Sequence, residues 1–303
     1  MKASFITSLT SLFTLSSLFF SSVHSANTVS SYLHSTIPDK VMNETHDSIY
    51  NALFVDRLSY CKKEEIEKFD CIDCHSTRSL IGVFDPVSKA SSQVVVTIDK
   101  EEEEILIGFR GTINNIQQWT SDLDVKYTKW YNGKVHSGFF DRFNEIKSPT
   151  MAFLRKAQKE LPNGDIIISG HSMGGAVATL FASHLKEFNI HPRFVYTYGS
   201  PRVGDRAFAQ YVDKQFGDRL MRVMNDWDMV VDLPPIAFDY RHVGKLITCK
   251  TSTSVCQERG RMDENPGGVI MALKRTIETA KNVNKCHLTY LDETIGTKRY
   301  KCG

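Results

Sequence analysis

The fold of this chain is decided by one stretch, Asp165-Ile166-Ile167-Ile168-Ser169-Gly170-His171-Ser172-Met173-Gly174-Gly175-Ala176-Val177-Ala178. It contains the pattern G-x-S-x-G, in which a serine occupies a tight turn between a strand and a helix at the carboxyl edge of a sheet. The pattern alone is weak, since a serine between glycines more often marks a flexible loop. Here the β-branched run 166–168 predicts a buried parallel strand directly before the turn.

A helix is predicted directly after the serine, because apolar residues recur there on one face. Its N-terminus would point backbone amides towards Ser172. The glycines of the motif carry no side chain where turn, strand and helix approach closely, and the turn is expected to need a positive φ, which glycine adopts at low cost. Ser172 is therefore predicted to be a nucleophile. The apolar residues of the helix are Ala176, Leu180, Phe181, Ala182 and Leu185.

Composition and charge describe an ordinary globular chain. The 303 residues are 41% hydrophobic and 24% charged, enough for one sizeable core or at most two small ones. The formal net charge is +2 with both signs interspersed, so neither nucleic acid nor an anionic membrane is predicted as the main partner.

The N-terminal segment has the pattern of a secretory signal peptide. Lys2 precedes an apolar, serine-laced run over residues 5–20, and small residues follow where a signal peptidase would cut. The run is short for a membrane-spanning helix, although an uncleaved anchor is the alternative. We predict a signal peptide over residues 1–25, secretion, one domain over residues 26–303 and no stable membrane insertion. The sequon Asn43-Glu44-Thr45 then predicts N-glycosylation of Asn43.

Seven cysteines in a secreted chain predict three disulfides and one remaining thiol. The stretch Cys71-Ile72-Asp73-Cys74-His75 also fits the attachment pattern of c-type haem, but nothing else in the chain resembles a small helical haem protein. A zinc site is equally weakly supported, because Cys249 and Cys256 lack metal-ligand spacing. No metal and no cofactor are predicted.

Strands and helices alternate through the middle of the chain. This order predicts an α/β fold with a mostly parallel central sheet flanked by helices and a site at the carboxyl ends of the strands. The G-x-S-x-G turn within it is typical of the α/β-hydrolase type. Residues 94–98 and 105–109 are predicted strands, and the acidic run 99–104 between them is interpreted as a solvated hairpin turn. Helices are predicted over residues 45–60 and near 269–277.

The predicted strand 105–109 leads into Arg110-Gly111-Thr112, a position where donors to an ester oxyanion would be needed. The natural pair of donors is the amide of Met173, directly after the nucleophile, and the amide or hydroxyl of Thr112.

A short amphipathic helix is predicted over residues 113–123, because Ile116, Trp119 and Leu123 stand at i, i+3 and i+7. It is either an ordinary surface helix that packs its tryptophan on the core or a lid over the site. Its position beside the oxyanion loop favours the lid.

A serine hydroxyl needs a histidine base and a carboxylate that orients the imidazole. In this fold type the order along the chain is serine, acid, histidine. Of the later histidines, His184 lies within the helix that follows Ser172, and His191 is expected to be exposed at a helix end. That leaves His242 and His287, and only His287 stands in a late segment that can return to the sheet edge beyond every candidate acid. His287 is the predicted base, and His242 is the alternative.

Further motifs stand at separate places along the chain. They are Phe109-Arg110-Gly111-Thr112, Trp119 with Asp122-Leu123, Val135-His136-Ser137-Gly138-Phe139, Gly170-His171-Ser172-Met173-Gly174-Gly175, Pro201-Arg202-Val203-Gly204-Asp205, residues 225–235 and His287-Leu288-Thr289-Tyr290. In this order they resemble the secreted fungal-type lipases, the class 3 lipase family, over residues 50–303. Several motifs in sequence are more specific than any one alone.

The acid comes from one loop that holds Asp226, Asp228 and Asp232, and the residues alone do not choose among them. The resemblance selects Asp228, which lies five residues before Leu233-Pro234-Pro235, as in the family.

The resemblance implies Ser172 as nucleophile, His287 as base, and Thr112 with Met173 as oxyanion hole. It leaves Cys286 unpaired, at a position where related sequences often carry an acidic residue before the catalytic histidine. The disulfides that it implies are Cys61–Cys302, Cys71–Cys74 and Cys249–Cys256.

Together these inferences predict a secreted serine ester hydrolase, a triacylglycerol or other acylglycerol lipase that works through an acyl-enzyme on Ser172 under a short lid. The expected partner is a lipid ester at a lipid–water interface, and no oligomeric state is predicted. The alternatives are a phospholipase A1, a mono- or diacylglycerol lipase and a feruloyl-type esterase. An alternative of another class is a non-catalytic lipid-binding protein on a hydrolase scaffold.

Overall fold

The computed structural model describes residues 46–71, 73–74, 76–86, 93–112, 123–250, 256–261, 268–282, 286–291 and 293–295. All of them belong to one unit of the chain, residues 37–303. The expected signal peptide, the sequon at Asn43, the lid residues Ile116 and Trp119, and Cys302 lie outside the described residues. No helix in the described ranges has the length and apolar composition that crossing a bilayer would require.

The helices and strands are numbered here in chain order. They are α1 (His46–Leu58), α2 (Lys63–Ile66), β1 (Arg78–Phe84), β2 (Val94–Asp99), β3 (Glu104–Phe109), β4 (Tyr127–Trp130), β5 (Gly133–His136), α3 (Ser137–Glu160), β6 (Asp165–His171), α4 (Met173–His184), β7 (Phe194–Tyr198), β8 (Gly204–Asp205), α5 (Arg206–Phe216), β9 (Leu220–Asn225), β10 (Tyr240–Arg241), β11 (Lys245–Cys249), β12 (Cys256–Arg261), α6 (Gly268–Lys281), β13 (Thr289–Tyr290) and β14 (Glu293–Thr294).

An eight-stranded sheet lies at the centre, in the order β1-β2-β3-β6-β7-β9-β11-β12. The five strands from β3 to β11 run parallel to one another. β1 and β2 at one edge and β12 at the other pair antiparallel to their neighbours. A smaller sheet has the order β10-β8-β5-β4. The predicted α/β-hydrolase type of fold, with a mostly parallel central sheet, is confirmed.

Alternation along each strand places successive side chains on opposite faces of the sheet. On β6, Ile166 and Ile168 join a core that includes residues of α3, α4 and α5. Ile167, between them, joins the second core, which includes α1. Because both faces are covered, the strand is a continuous apolar run.

The turn between β2 and β3 differs from the prediction. Lys100 and residues 101–103 are exposed, but Asp99 and Glu104 at its ends are only 3% and 6% exposed. Asp99 accepts a hydrogen bond from Arg78 Nε at 2.8 Å, and Glu104 accepts one from Asn51 Nδ2 at 2.8 Å. The prediction that the whole acidic run is solvated is wrong at both ends, because distant donors satisfy these carboxylates.

The cysteines agree with the expected pairing where they are described. Cys71 pairs with Cys74, and Cys249 pairs with Cys256. Cys61 is also disulfide-bonded. Cys286 is buried and is not part of a disulfide.

Candidate active site

The turn between β6 and α4 is strained at Ser172 itself. Ser172 has φ 57° and ψ −130°, a conformation that few non-glycine residues adopt. Its backbone N–H donates to the carbonyl of Tyr198 on the neighbouring strand at 2.8 Å. The expectation that a glycine takes the positive φ of this turn is wrong, because the strained position is the serine.

The glycines around Ser172 allow close approach, as predicted. A Cβ atom on Gly170 would collide with the carbonyl of Gly174, and one on Gly174 would collide with the carbonyl of Phe109 on β3. A Cβ atom on Gly175 would lie 2.8 Å from Cβ of Ser200. Strand, turn and helix therefore pack so tightly that side chains at these three positions would displace the serine.

A buried acid–base pair lies at the same edge of the sheet. Asp228 and His287 are both 0% exposed, and His287 Nδ1 donates to Asp228 Oδ2 at 2.7 Å. Asp228 Oδ1 accepts a hydrogen bond from the backbone N–H of Val230 at 2.9 Å. The Tyr290 hydroxyl also donates to Asp228 Oδ2. The carboxylate thus fixes the orientation of the imidazole through Nδ1, and the other ring nitrogen, Nε2, is not bonded to it.

Two buried polar atoms of this site lack a hydrogen-bond partner: Ser172 Oγ and His287 Nε2. The ring of His171, the residue before the serine, packs on the ring of His287 with centroids 4.6 Å apart. The hydroxyl and the imidazole do not bond to each other here. Such catalytic hydrogen bonds are often long in free enzymes and tighten when substrate binds.

The other candidate groups have different partners. The Asp232 carboxylate accepts a hydrogen bond from Arg275 Nη1 at 3.0 Å. His242 is buried, and its Nε2 donates to the carbonyl of Val231 at 2.7 Å. His184 lies in α4 and His191 is exposed, as predicted.

Charge around His242 also favours its neutral form. Burial lowers the pKa of His242 well below its usual range, and the positive charges of Arg222 and Arg202 lower it further. A histidine held neutral in this way is a hydrogen-bond donor within the fold.

The loop after β3 lies against the serine turn, because β3 and β6 are neighbouring parallel strands. Thr112 Oγ1 contacts Met173 Sδ at 3.9 Å. A Cβ atom on Gly111 would lie 2.9 Å from Cβ of Ser172. The structure thus places the two residues expected to form the oxyanion hole in contact through their side chains.

A buried chain of hydrogen bonds joins the expected oxyanion loop to His287. Sequence reasoning missed it. The Gly111 backbone N–H donates to the Tyr60 hydroxyl at 3.1 Å, and that hydroxyl lies 2.6 Å from His171 Nδ1. His171 Nε2 donates to the carbonyl of His287 at 2.8 Å, so its Nδ1 is the acceptor for Tyr60. Burial lowers the pKa of His171 well below its usual range, and the charge of His287 adds to this.

Tyr290 and Gly199 were also missed. Tyr290 stands three residues after His287 in a motif already singled out, which was the available signal. Gly199 has φ 56°, and a Cβ atom on it would lie 2.5 Å from Tyr290 Oη and 2.6 Å from Asp228 Oδ2. No spacing in the sequence indicates that contact.

Comparison with solved structures defines the class of fold. Lipase II from Rhizopus niveus superposes with a TM-score of 0.71 at 24% identity, over 82% of this chain and 95% of that chain. A lipase from Rhizopus microsporus var. chinensis gives a TM-score of 0.71 at 26% identity, over 82% of this chain and 87% of that chain. The molecule has the α/β-hydrolase fold of these lipases.

Comparison of sequences points to the same group of proteins. The family model described as Lipase (class 3) matches residues 106–238. A lipase of Rhizomucor miehei is 36% identical over 186 residues, which are 58% of this chain and 50% of that protein. Secreted mono- and diacylglycerol lipase 1 of Fusarium solani is 37% identical over 158 residues, 51% of this chain and 46% of that protein. Residues 106–238 are therefore similar to the class 3 lipase family, and the chain spans about half the length of the curated relatives it matches.

Proposed function

We propose that this protein is a serine ester hydrolase that cleaves acylglycerols through an acyl-enzyme on Ser172. The observation that carries the proposal is the fully buried Asp228–His287 pair at 2.7 Å, together with a strained serine whose hydroxyl has no hydrogen-bond partner and whose preceding residue, His171, packs its ring on His287. A hydroxyl held free next to an oriented imidazole is the arrangement that nucleophilic catalysis requires.

The reaction follows from these positions. Ser172 Oγ attacks the ester carbonyl carbon and gives its proton to His287 Nε2, while Asp228 stabilises the imidazolium. The oxyanion accepts hydrogen bonds from the amide of Met173 and from Thr112. His287 then protonates the leaving alcohol. A water molecule, deprotonated by His287, attacks the acyl-serine and releases the carboxylic acid.

Access to the site requires movement. Ser172 and His287 are both 0% exposed, so an ester cannot reach them in this conformation. We propose that the segment 113–123 is the lid that moves. Its last residue, Leu123, is partly buried against the core that contains α4.

The substrate class rests on the relatives. Those that carry the names lipase and mono- and diacylglycerol lipase support a lipid ester at a lipid–water interface. Relatives named as secreted lipases support secretion of this chain. The signal peptide over residues 1–25, the single domain over residues 26–303 and the glycan on Asn43 rest on the sequence patterns alone. N-terminal sequencing of the exported protein, before and after deglycosylation, tests the cleavage site and the glycan.

The deciding experiment is the rate of tributyrin hydrolysis as its concentration crosses the solubility limit. We expect a steep rise when droplets form. Ser172→Ala should lower kcat by at least about 10³-fold, because removal of a triad serine leaves only binding and oxyanion stabilisation. Ser169→Ala is the matched control, since this hydroxyl, on β6 three residues before Ser172, is also buried without a partner.

Three results would count against the proposal. Activity that survives in Ser172→Ala removes the mechanism. Absence of serine labelling by a fluorophosphonate favours a non-catalytic lipid-binding protein. Saturation below the solubility limit, with faster turnover of phospholipid or feruloyl esters, assigns another ester class.

A mono- or diacylglycerol lipase is the second candidate, because the Fusarium solani relative with that name is 37% identical. Rates on monobutyrin, dibutyrin and tributyrin under the same conditions separate the two candidates. A preference for the partial glycerides would replace triacylglycerol as the proposed substrate.

A further inference from the structure

Helix α6 presents an exposed apolar face. At 3.6 residues per turn, its four exposed apolar side chains fall within an arc of about 100°. They are the most exposed large apolar side chains among the described residues: Val269 at 73%, Ile270 at 70%, Leu273 at 62% and Ile277 at 58% exposed.

The opposite side of α6 is fastened to the loop that carries Asp228. Arg275 and Thr279 are the buried residues of this helix. Arg275 Nε donates to the carbonyl of Asp226 at 3.0 Å, and Thr279 Oγ1 donates to the carbonyl of Trp227 at 2.7 Å. The acid loop and α6 are therefore held together as one surface feature.

The C-terminal end of α6 leads directly to the base. The backbone N–H of Cys286 donates to the carbonyl of Asn282 at 3.1 Å, and His287 follows. The acid loop follows β9 at the carboxyl edge of the sheet, the edge at which β6 presents Ser172. α6 consequently lies at the same edge of the molecule as the candidate active site.

Charges beside the apolar face indicate what covers it. Lys274 and Lys281 border the apolar arc, and both are exposed. Lys281 Nζ also lies 3.3 Å from Oε2 of Glu278, a residue of the same helix that falls outside the apolar arc. An apolar stripe edged by lysines is complementary to a lipid surface with anionic groups, whereas the cores of protein–protein interfaces are depleted in lysine.

We propose that α6 is an interfacial anchor, which inserts its apolar face into an anionic lipid–water surface and holds the active-site edge against it. The proposal rests on the proposed function, since it names how that site meets its substrate. The contact is distinct from the lid segment.

The test uses vesicles made of equal parts phosphatidylcholine and phosphatidylglycerol, with sedimentation as the readout. All proteins carry Ser172→Ala, so that hydrolysis cannot alter the lipid. Ile270→Gln, Leu273→Gln and Ile277→Gln are combined, because glutamine is a good helix former and these positions are exposed. Phe188→Gln is the matched control, an aromatic 43% exposed just beyond the far end of α4 from Ser172.

We expect the triple variant to bind these vesicles at least about tenfold more weakly than its parent, and Phe188→Gln to bind equally. The double variant Lys274→Gln/Lys281→Gln should lose only its preference for the anionic vesicles over vesicles of pure phosphatidylcholine. With Ser172 restored, the triple variant should hydrolyse dissolved p-nitrophenyl butyrate as the parent does and emulsified tributyrin more slowly. Circular dichroism confirms that α6 is retained.

Unchanged vesicle binding by the triple variant would overturn the proposal. A dimer of the parent in sedimentation velocity that becomes a monomer in the triple variant would assign the face to a second copy of the chain instead. These results are independent of the proposed function, which fails only if the parent lacks Ser172-dependent hydrolysis of the dissolved ester.

Discussion

Gly199 lies against the Asp228–His287 pair, and the absence of a side chain there leaves room for both groups. A methyl group there would stand 2.6 Å from Asp228 Oδ2, so the carboxylate that orients His287 would have to shift. We expect Gly199→Ala to lower kcat on a dissolved ester by about 10²-fold or more, because small misplacements of catalytic groups cost that much.

The control for this variant is Gly260→Ala. Gly260 has φ 73°, comparable with the 56° of Gly199, but nothing lies within 4 Å of a Cβ atom placed there. The Gly260→Ala variant should lose about 1–2 kcal/mol of unfolding free energy, because alanine is strained at this positive φ, and it should keep the kcat of the parent. Equal kcat losses in both variants would attribute the effect to strain and not to the contact with Asp228.

At the same scale, the sequence identifies some site residues and not others. Ser172 is identifiable because its motif is local. Asp228 shares a loop with two other aspartates, and only its contact with His287 separates them physically. The Tyr60–His171 hydrogen bond spans 111 residues of sequence, and no local periodicity encodes a contact at that separation.

At the scale of secondary-structure elements, the β11–β12 hairpin is closed by the disulfide between Cys249 and Cys256, which are 7 residues apart in sequence. The carbonyl of Cys249 also accepts a hydrogen bond from the backbone N–H of Asp226 at 2.9 Å. Cys249→Ala with Cys256→Ala should lower the free energy of unfolding by about 2–3 kcal/mol, since a short closed loop restricts the unfolded chain by that amount. Urea unfolding measures it, and an unchanged midpoint would mean that the strand ladder alone holds the hairpin.

Periodicity predicts that elements exist, but not what covers them. The strand and helix alternation around β6 and α4 is local in sequence and is confirmed. The same reasoning finds the helix α6 but not that its apolar residues face outward, because an apolar stripe normally marks the buried side. The prediction that Asp99 and Glu104 are solvated is wrong for a related reason. An acidic run normally marks exposed residues, but here hydrogen-bond donors from distant parts of the chain satisfy both buried carboxylates.

Across the whole molecule, buried neutral histidines make stability depend on pH. The pKa of His242 is lowered by burial and by Arg222 and Arg202, so below about pH 6.5 the unfolded chain binds a proton that the folded chain does not. Stability should therefore fall as the pH is lowered, by at most about 1.4 kcal/mol per pH unit for each such group. In His242→Gln the fall should be shallower, because glutamine has no proton to take up in this pH range, and its amide can still donate to the carbonyl of Val231.

Urea unfolding from pH 7.5 down to pH 5.5 measures this dependence. His191→Gln is the control, since His191 is exposed, and it should reproduce the parent's slope. Burial raises the pKa of Asp56, which acts in the opposite sense, but its contribution cancels in the difference between parent and variant. Parallel curves for parent and His242→Gln would contradict the prediction.

At this scale the sheet order is the least predictable feature. β3 lies next to β6, and β4 and β5, which come between them along the chain, join a separate sheet. The alternation of elements indicates a parallel sheet, but which strands are neighbours depends on long-range packing that no segment carries by itself.

The position of His287 along the chain has a consequence for biosynthesis. A ribosome delivers the serine and the acid first, and the base comes 59 residues after Asp228. At about 5–20 residues per second, this is a delay of roughly 3–12 s. The strands β3, β6, β7, β9 and β11 are all complete before the base is made. A growing chain can therefore build its scaffold before the proposed triad is complete, and the activity proposed above would be absent during this interval.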